Sequence, residues 1–401
     1  MLKGVRGAWL LAAARASEAA ATAGGAWAAL WTFPLVLLSA FVIAWGAEVA
    51  QFFMSQGLAL AILAWLQTLP EFAVEAEIAW RGDVSNMTAN FTGSLRLLVG
   101  LGWPMIFFAA AYTHWQRTGE WLSEITLDGE HSVTVIGLFA PIAYFFYVWW
   151  KSSLTLWDSL VLTFLYGGYL WVLNRMPAKD AEEVEELDRV PRTVMGLKPG
   201  VRALAIVGLF AGGGLLLAFV TPPFVDSLES LAISAGISQF VFIQWVAPFL
   251  SEFPEFLSAF RWGKSVRHAP MALMNLASSN INQWTMLVAM IPVAFSLGRG
   301  HVTTIPFDAM HRGEILLTLL QSLLGMVLLV NMRYTRAEAL VLLGLWFVQF
   351  VVPTLREELL WVYGAFILGG LLQMALGWRS VAAFPAFARE WKSHSKPAPA
   401  A

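Results

Sequence analysis

Two apolar stretches of the chain each contain a proline followed directly by a glutamate, Pro70-Glu71 and Pro254-Glu255. A proline inside a helix removes one backbone hydrogen bond, because it has no amide hydrogen to donate. An ionisable side chain inside a membrane span is costly and therefore indicates a functional site. Two proline-interrupted segments in corresponding halves of a chain are typical of the central site of a transporter. The pair predicts two broken helices that line a wet, anionic cavity.

The composition places these segments in a membrane. The chain has 401 residues, of which 58% are hydrophobic and 13% charged, and its mean hydropathy is +0.65. Soluble domains carry about a quarter charged residues, so we predict a polytopic membrane protein. Cysteine is absent, which excludes disulfides and thiolate chemistry. All six histidines lie in predicted loops or in the tail, so we predict no enzyme activity, no catalytic residues and no cofactor.

The apolar runs also predict the domain organisation. Eleven runs approach the length of about 20 residues that a span requires. Five precede a charged loop, so the second half enters the membrane inverted relative to the first. The predicted parts are an N-terminal segment (1–28), a first five-helix repeat (29–174), a loop with both acidic and basic residues (175–201), a second five-helix repeat (202–355), and an extra helix with a basic tail (356–401).

The distribution of Lys and Arg predicts the orientation. When the loop 175–201 is placed in the cytoplasm and the spans alternate, most Lys and Arg residues fall in the inner segments. Cytoplasmic loops are enriched in these residues. The sequence therefore predicts a multi-pass protein of the cell (inner) membrane whose N-terminus is outside and whose C-terminus is cytoplasmic.

The two motifs resemble those of a known family. The segments LPEF (69–72) and FPEF (253–256), each followed by a helix with amides and serines, are similar to the internal repeat motifs of the cation/Ca2+ exchanger superfamily, the sodium/calcium exchangers and their relatives. The resemblance covers most of residues 40–355. It implies an all-α polytopic membrane protein with two inverted five-helix repeats and a cation site where helices 2, 3, 7 and 8 meet. The extra C-terminal helix falls outside it.

The resemblance also implies which residues form the site. Glu71 and Glu255 stand at the positions of the family's two principal cation-binding glutamates. Several positions depart from the family's pattern: Gln67 replaces a threonine, Glu252 a serine, Leu95 an asparagine, Leu98 a polar residue, and Gln283 a residue that is often acidic. The candidate metal ligands are Glu71, Glu255, Thr68, Ser251, Glu252, Ser94, Ser279, Asn280, Gln283 and Gln67.

The chemistry of such a site favours cation exchange. Ca2+ is held by about six to eight oxygen ligands from carboxylates, carbonyls and hydroxyls. Empty carboxylates repel each other, so an unloaded site takes up protons or Na+. We therefore predict a secondary active cation antiporter that exports Ca2+, or a similar divalent cation, in exchange for Na+ or H+ by alternating access. Its expected partners are inorganic cations and the lipid bilayer, and no nucleic acid.

Several side chains leave alternatives open. The additional carboxylate of Glu252 also fits a proton-coupled or monovalent cation exchanger. A non-transporting homologue follows if Arg96, which lies inside a predicted span, occupies the site as a tethered cation. Glu252 is either a further ligand or proton carrier, or the partner of Arg96. Glu75 and Glu77 are expected near Arg81 in a wet vestibule.

Overall fold

The computed structural model describes residues 2–53, 65, 68–175 and 187–394 of the chain. This part is almost entirely helical and contains two short two-stranded sheets. Eight of its helical stretches have the length and apolar composition of membrane spans: Gly24–Ala50, Val84–Thr118, Gly129–Lys151, Leu156–Leu173, Pro199–Ala235, Ala269–Arg299, Ala309–Leu329 and Pro353–Ala375. The predicted all-α polytopic architecture is confirmed.

Along the chain the helices fall into two halves, before and after residues 176–186, which lie outside the described part of the chain. The first half contains α1 (Leu2–Ala50), α2 (Leu69–Arg81), α3 (Val84–Leu97), α4 (Trp103–Thr118), α5 (Ser132–Gly137), α6 (Phe139–Lys151) and α7 (Leu156–Leu173). After it come α8 (Arg189–Met195), α9 (Pro199–Ala235), α10 (Gln239–Ser251), α11 (Phe253–Gly263), α12 (Ala269–Asn282), α13 (Val288–Arg299), α14 (Ala309–Leu329), α15 (Arg336–Val351), α16 (Arg356–Ala375) and α17 (Ala383–His394).

The second proline–glutamate motif breaks its helix as predicted. Helix α10 ends at Ser251 and α11 begins at Phe253, so that Glu252 alone forms the break, with φ −94° and ψ −1°. The proline of each motif stands in the first helical turn, where its missing amide hydrogen costs nothing. In the first copy Thr68 takes the place of Glu252 and has nearly the same backbone conformation, with φ −87° and ψ −1°.

The helices that follow the two motifs repeat one another closely. Helix α3 continues into a π-helical turn over Leu98–Gly102, and α12 continues into a π-helical turn over Gln283–Leu287. A π turn is rare, because it inserts one residue into the regular hydrogen-bond ladder, and it occurs often at functional sites. Its presence at matching positions supports the predicted internal repeat.

Two small antiparallel sheets join the repeats. Strand β1 (Glu124–Thr126) pairs with β4 (Arg333–Thr335), and β2 (Ser153–Leu154) pairs with β3 (Ile305–Pro306). Each sheet therefore contains one strand from each repeat. A single span separates β1 from β2 along the chain, so the two sheets lie on opposite sides of the membrane. The repeats are thereby fastened to each other at both surfaces.

The extra C-terminal helix α16 packs against α14, outside the two repeats. Its Tyr363 side chain is buried and shares hydrogen bonds with Gln349 (2.6 Å) and Gln321 (3.0 Å). Beyond it, the backbone amide of Ala383 at the start of α17 donates to the carbonyl of Val330 over 2.9 Å. The C-terminal helices are therefore attached to the second repeat by polar contacts as well as apolar ones.

We expect the substitution Gly93→Ala to separate α3 from α10. A Cβ atom at Gly93 would lie 1.8 Å from the backbone carbonyl oxygen of Gln244, so a helix backbone has to move. Overpacking of this kind lowers the free energy of unfolding by about 1–3 kcal/mol. Thermal unfolding in detergent measures it. The control is Gly168→Ala on α7, where a Cβ atom meets nothing within 4 Å; equal stability of the two variants would contradict the close crossing.

Candidate cation site

Both proline–glutamate motifs place their glutamate in the first turn of a helix. Glu71 lies in the first turn of α2 and Glu255 in the first turn of α11, and both side chains are buried. The partial positive charge of a helix N-terminus stabilises a carboxylate at that position. Because proline favours the first turn of a helix, the glutamate that directly follows it is held in the same turn, where it is buried inside the protein.

A third buried carboxylate occupies the break between α10 and α11. The Oε1 atom of Glu252 accepts hydrogen bonds from the Ser94 hydroxyl and, over 2.8 Å, from Nε2 of Gln283. The same Nε2 atom of Gln283 donates to Oε2 of Glu71 over 2.8 Å. Since Ser94 and Glu71 belong to the first repeat and the other two to the second, Gln283 connects acids of both repeats.

The remaining partners come from α12. The Ser279 hydroxyl donates to Oε1 of Glu255, so this predicted pair lies together. The Asn280 side chain donates through Nδ2 to the backbone carbonyl of Leu95 over 3.2 Å. Leu95 stands where the family's motif has an asparagine, and its backbone carbonyl is the atom that contacts α12. These contacts fix α12 against both α11 and α3.

The other predicted ligands have different surroundings. The Thr68 hydroxyl accepts a hydrogen bond from Nδ2 of Asn282 over 2.7 Å, which places Thr68 against α12. The Ser251 hydroxyl donates to the carbonyl of Ala247, one turn earlier in its own helix, over 3.0 Å. Within the ranges that the structure describes, the Ser251 hydroxyl therefore has no hydrogen bond to a carboxylate. Gln67 lies outside the described residues.

Each of the three carboxylates keeps one oxygen that accepts no hydrogen bond, and so do three amides of α12 and its π turn. Within the described part of the chain these buried atoms are Oε1 of Glu71, Oε2 of Glu252, Oε2 of Glu255, Oδ1 of Asn280, Oδ1 of Asn282 and Oε1 of Gln283. Buried polar atoms normally have a partner. All six are acceptors, so the partner that they lack is a donor or a cation.

Arg96 does not neutralise these acids. Its Nη2 atom lies 2.5 Å from Oε2 of Glu314, and it makes no ion pair with Glu252 among the described residues. The interpretation of Arg96 as the partner of Glu252 is therefore wrong. Arg96 follows Ser94 by two residues, and side chains two residues apart on a helix do not face each other. Ser94 faces the carboxylates, and Arg96 is directed away from them.

Arg96 belongs instead to a separate buried ion cluster around Glu314. Oε1 of Glu314 lies 2.5 Å from Nη1 of Arg356, and its Oε2 accepts a 3.0 Å hydrogen bond from Gln244 as well as the bond from Arg96. The guanidinium of Arg96 also lies 5.4 Å from the ring centroid of Trp245. Because Arg356 begins α16, this cluster attaches the extra helix to the helix that carries Ser94.

The predicted vestibule is only partly confirmed. Glu77 is partly exposed and pairs with Nε of Arg81 over 2.7 Å, as expected. Glu75 is fully buried, and its Oε2 accepts a 2.6 Å hydrogen bond from Nδ2 of Asn90. The prediction of a wet position for Glu75 is wrong, because helix α3 covers the face of α2 on which Glu75 lies.

A family model described as sodium/calcium exchanger protein matches residues 24–174 and 205–355, which are the two repeats. The chain belongs to the sodium/calcium exchanger family. The fold that the resemblance implies, with two inverted five-helix repeats, is confirmed. Members of this family are cation antiporters, so the exchanger is a multi-pass membrane transporter of inorganic cations.

Solved structures agree with this assignment. A crystal structure of the H+/Ca2+ exchanger CAX is 30% identical, with a TM-score of 0.81, over 92% of this exchanger and 90% of that chain. A structure of the sodium-calcium exchanger NCX_Mj is 18% identical, with a TM-score of 0.51, over 83% of this exchanger and 99% of that chain, and it shows the likeness of fold alone. No curated protein matches this exchanger by sequence.

Two residues of the exchanger interior were missed at the sequence level. Asn282 belongs to the helix with amides and serines that follows the second proline–glutamate motif, and that enrichment was the available signal. Glu314 lies at the centre of the ion cluster. It could have been found because it is a lone acidic residue in an apolar run, and such a residue needs a partner. The motif does not predict either contact, because the partner of Asn282 (Thr68) and the partner of Glu314 (Arg96) lie far away in the sequence.

Proposed function

We propose that this exchanger moves Ca2+ across the cell membrane in exchange for protons. The observation that carries the proposal is the set of three buried carboxylates, Glu71, Glu252 and Glu255, each of which keeps one oxygen without a hydrogen bond. Ca2+ is held by about six to eight oxygen ligands, to which carboxylates, amide oxygens and water all contribute. Among the described residues, no arginine, lysine or histidine forms an ion pair with these carboxylates, so a cation from solution has to balance them.

The coupling follows from the same charges. All three carboxylates are charged when Ca2+ is bound, and one Ca2+ balances two of their three negative charges. When Ca2+ leaves, buried carboxylates without a cation are costly, so protons neutralise them. The 30% identity to an H+/Ca2+ exchanger supports protons as the counter-ion. The orientation predicted from Lys and Arg, with the loop 175–201 in the cytoplasm, makes export the direction of Ca2+ movement.

The shared hydrogen bonds indicate how one site serves both sides. Gln283 of the second repeat holds Glu71 of the first, and Ser94 of the first holds Glu252 of the second. A rearrangement between the repeats therefore changes the donors at Glu71 and Glu252, whereas Glu255 keeps its bond from Ser279 of the same repeat. The π-helical turns that begin at Leu98 and Gln283 are places where a helix can change its register beside the site.

Uptake of radiolabelled Ca2+ into proteoliposomes tests the proposal. We expect uptake when the lumen is acidic relative to the medium, and loss of uptake in Glu255→Gln. The control is Glu124→Gln, which removes a partly exposed carboxylate paired with Arg333 and should leave uptake unchanged. Uptake driven only by an outward Na+ gradient would replace protons by Na+ as the counter-ion. No uptake under either gradient, from folded protein, would overturn Ca2+ exchange.

A further inference from the structure

We propose that Glu75 and Asn90 form a second cation-binding site, through which Ca2+ passes between the central site and one side of the membrane. As a step on the path to the central carboxylates, the site rests on the proposed function. Glu75 follows Glu71 by four residues on α2, so the two carboxylates lie on one face, one helical turn apart.

The hydrogen bonds of this pair leave two acceptors free. Nδ2 of Asn90 donates to Oε2 of Glu75 over 2.6 Å, and this bond fixes the orientation of both side chains. In the described structure, Oε1 of Glu75 and Oδ1 of Asn90 are buried and have no hydrogen-bond partner. Both are oxygens of the kind that bind hard cations. Glu75 is fully buried and forms no ion pair with any described residue, so a cation from solution has to compensate its charge.

A polar line along α3 joins this site to the centre and to the surface. Asn86, Asn90 and Ser94 are spaced by four residues and therefore share one face of the helix. The first of them contacts acids at the helix start, the second contacts Glu75, and the third contacts Glu252. A cation that follows this face meets an oxygen-rich side chain at each turn.

The surface end of the line is acidic. Nδ2 of Asn86 donates to Asp83 over 2.8 Å and lies 3.4 Å from Glu229 of α9. Asp226, one turn before Glu229, is exposed and pairs with Arg81 at 2.5 Å. At this surface end of the polar line, the carboxylates outnumber the arginines that pair with them. A negatively charged surface region raises the local concentration of cations.

The second repeat lacks this arrangement. Four residues after Glu255 stands Ala259, which is buried, so there is no counterpart of Glu75. The end of α11 and the turn after it carry Arg261, Lys264 and Arg267 instead of acids. The cation path of the first repeat is thus built for one side of the membrane, and the two openings of the exchanger differ in charge.

Equilibrium binding of radiolabelled Ca2+ to the purified protein tests the site. In the Glu255→Gln background, which weakens the central site, we expect residual Ca2+ binding that disappears when Glu75→Gln is added. Adding Glu77→Gln is the matched control, because Glu77 lies on the same helix and is partly exposed, and it should leave the residual binding unchanged. Residual binding that is absent, or that survives Glu75→Gln, would overturn the second site and leave the proposed function standing.

A second variant separates binding from folding. Asn90→Asp places two carboxylates together, so we expect a lower Tm without Ca2+ and a rise in Tm on adding Ca2+ at least several degrees larger than in the wild type. A purely structural hydrogen bond predicts the same Ca2+ response in both proteins, and that result would contradict the proposal. If Asn90→Asp gains this response while gradients drive no uptake, the site stands and the exchange function fails.

Discussion

Replacing Glu314 with glutamine is expected to lower the free energy of unfolding by about 3–5 kcal/mol. Glu314 is the carboxylate between Arg96 and Arg356, at 2.5 Å from each. The Arg96 side chain is fully buried, so the substitution leaves its guanidinium charge without a counter-charge. Breaking a buried pair at one partner is costly because the other charge remains desolvated.

Equilibrium unfolding in mixed detergent micelles measures this loss. The matched control is Glu124→Gln, whose partner Arg333 is mostly exposed, because pairs of this kind contribute only about 0–1 kcal/mol. A Glu314→Gln protein as stable as Glu124→Gln would show that the buried cluster does not attach α16. The double variant Arg96→Gln with Glu314→Gln should recover part of the loss, because it removes the uncompensated charge.

The substitution Glu252→Gln is expected to weaken Ca2+ binding by about 10- to 100-fold. The glutamine keeps the shape of the side chain and removes its charge, together with one of the six unpaired oxygens as an anionic ligand. Interactions with a charged group are worth about 1.5–3 kcal/mol, and about 1.4 kcal/mol corresponds to a factor of ten. The Ca2+ dependence of transport at fixed pH gradient measures the change.

The neighbouring variant Ser251→Ala serves as the control for this measurement. The Ser251 hydroxyl donates to the carbonyl of Ala247 within its own helix, so we expect an unchanged Ca2+ dependence. Equal effects of the two substitutions would mean that any change near the helix break disturbs the site. An unchanged Ca2+ affinity in Glu252→Gln would remove Glu252 from the cation ligands.

The sequence predicted those features that follow from local rules. Proline favours the start of a helix, and an acidic residue directly after it lies in the first turn. The positions of Glu71 and Glu255 therefore followed from the motifs LPEF and FPEF. The five predicted spans before the charged loop also predicted the inverted halves. The burial of the two glutamates followed from the apolar context, and the helix break predicted from the proline lies at Glu252.

The remaining features depend on the rotation of whole helices. Arg96 and Glu314 are 218 residues apart, and which acid Arg96 reaches depends on how α3 is turned relative to α14. The burial of Glu75 likewise depends on the neighbour that covers it, since Glu77, two residues later, is partly exposed. The periodicity of a helix predicts which residues share a face. Which neighbouring helix that face contacts depends on how all the helices pack together.

The two cross-repeat sheets have a consequence for how such a protein can arise. Each repeat supplies one strand to each sheet, and Glu71 of the first repeat accepts a hydrogen bond from Gln283 of the second, so the first repeat alone leaves its strand edges without partners and loses this bond at its acid. Unpaired strand edges and buried polar groups are unfavourable. An ancestor with only one repeat would have functioned as two chains inserted in opposite directions, and fusing them would have made that antiparallel pairing permanent.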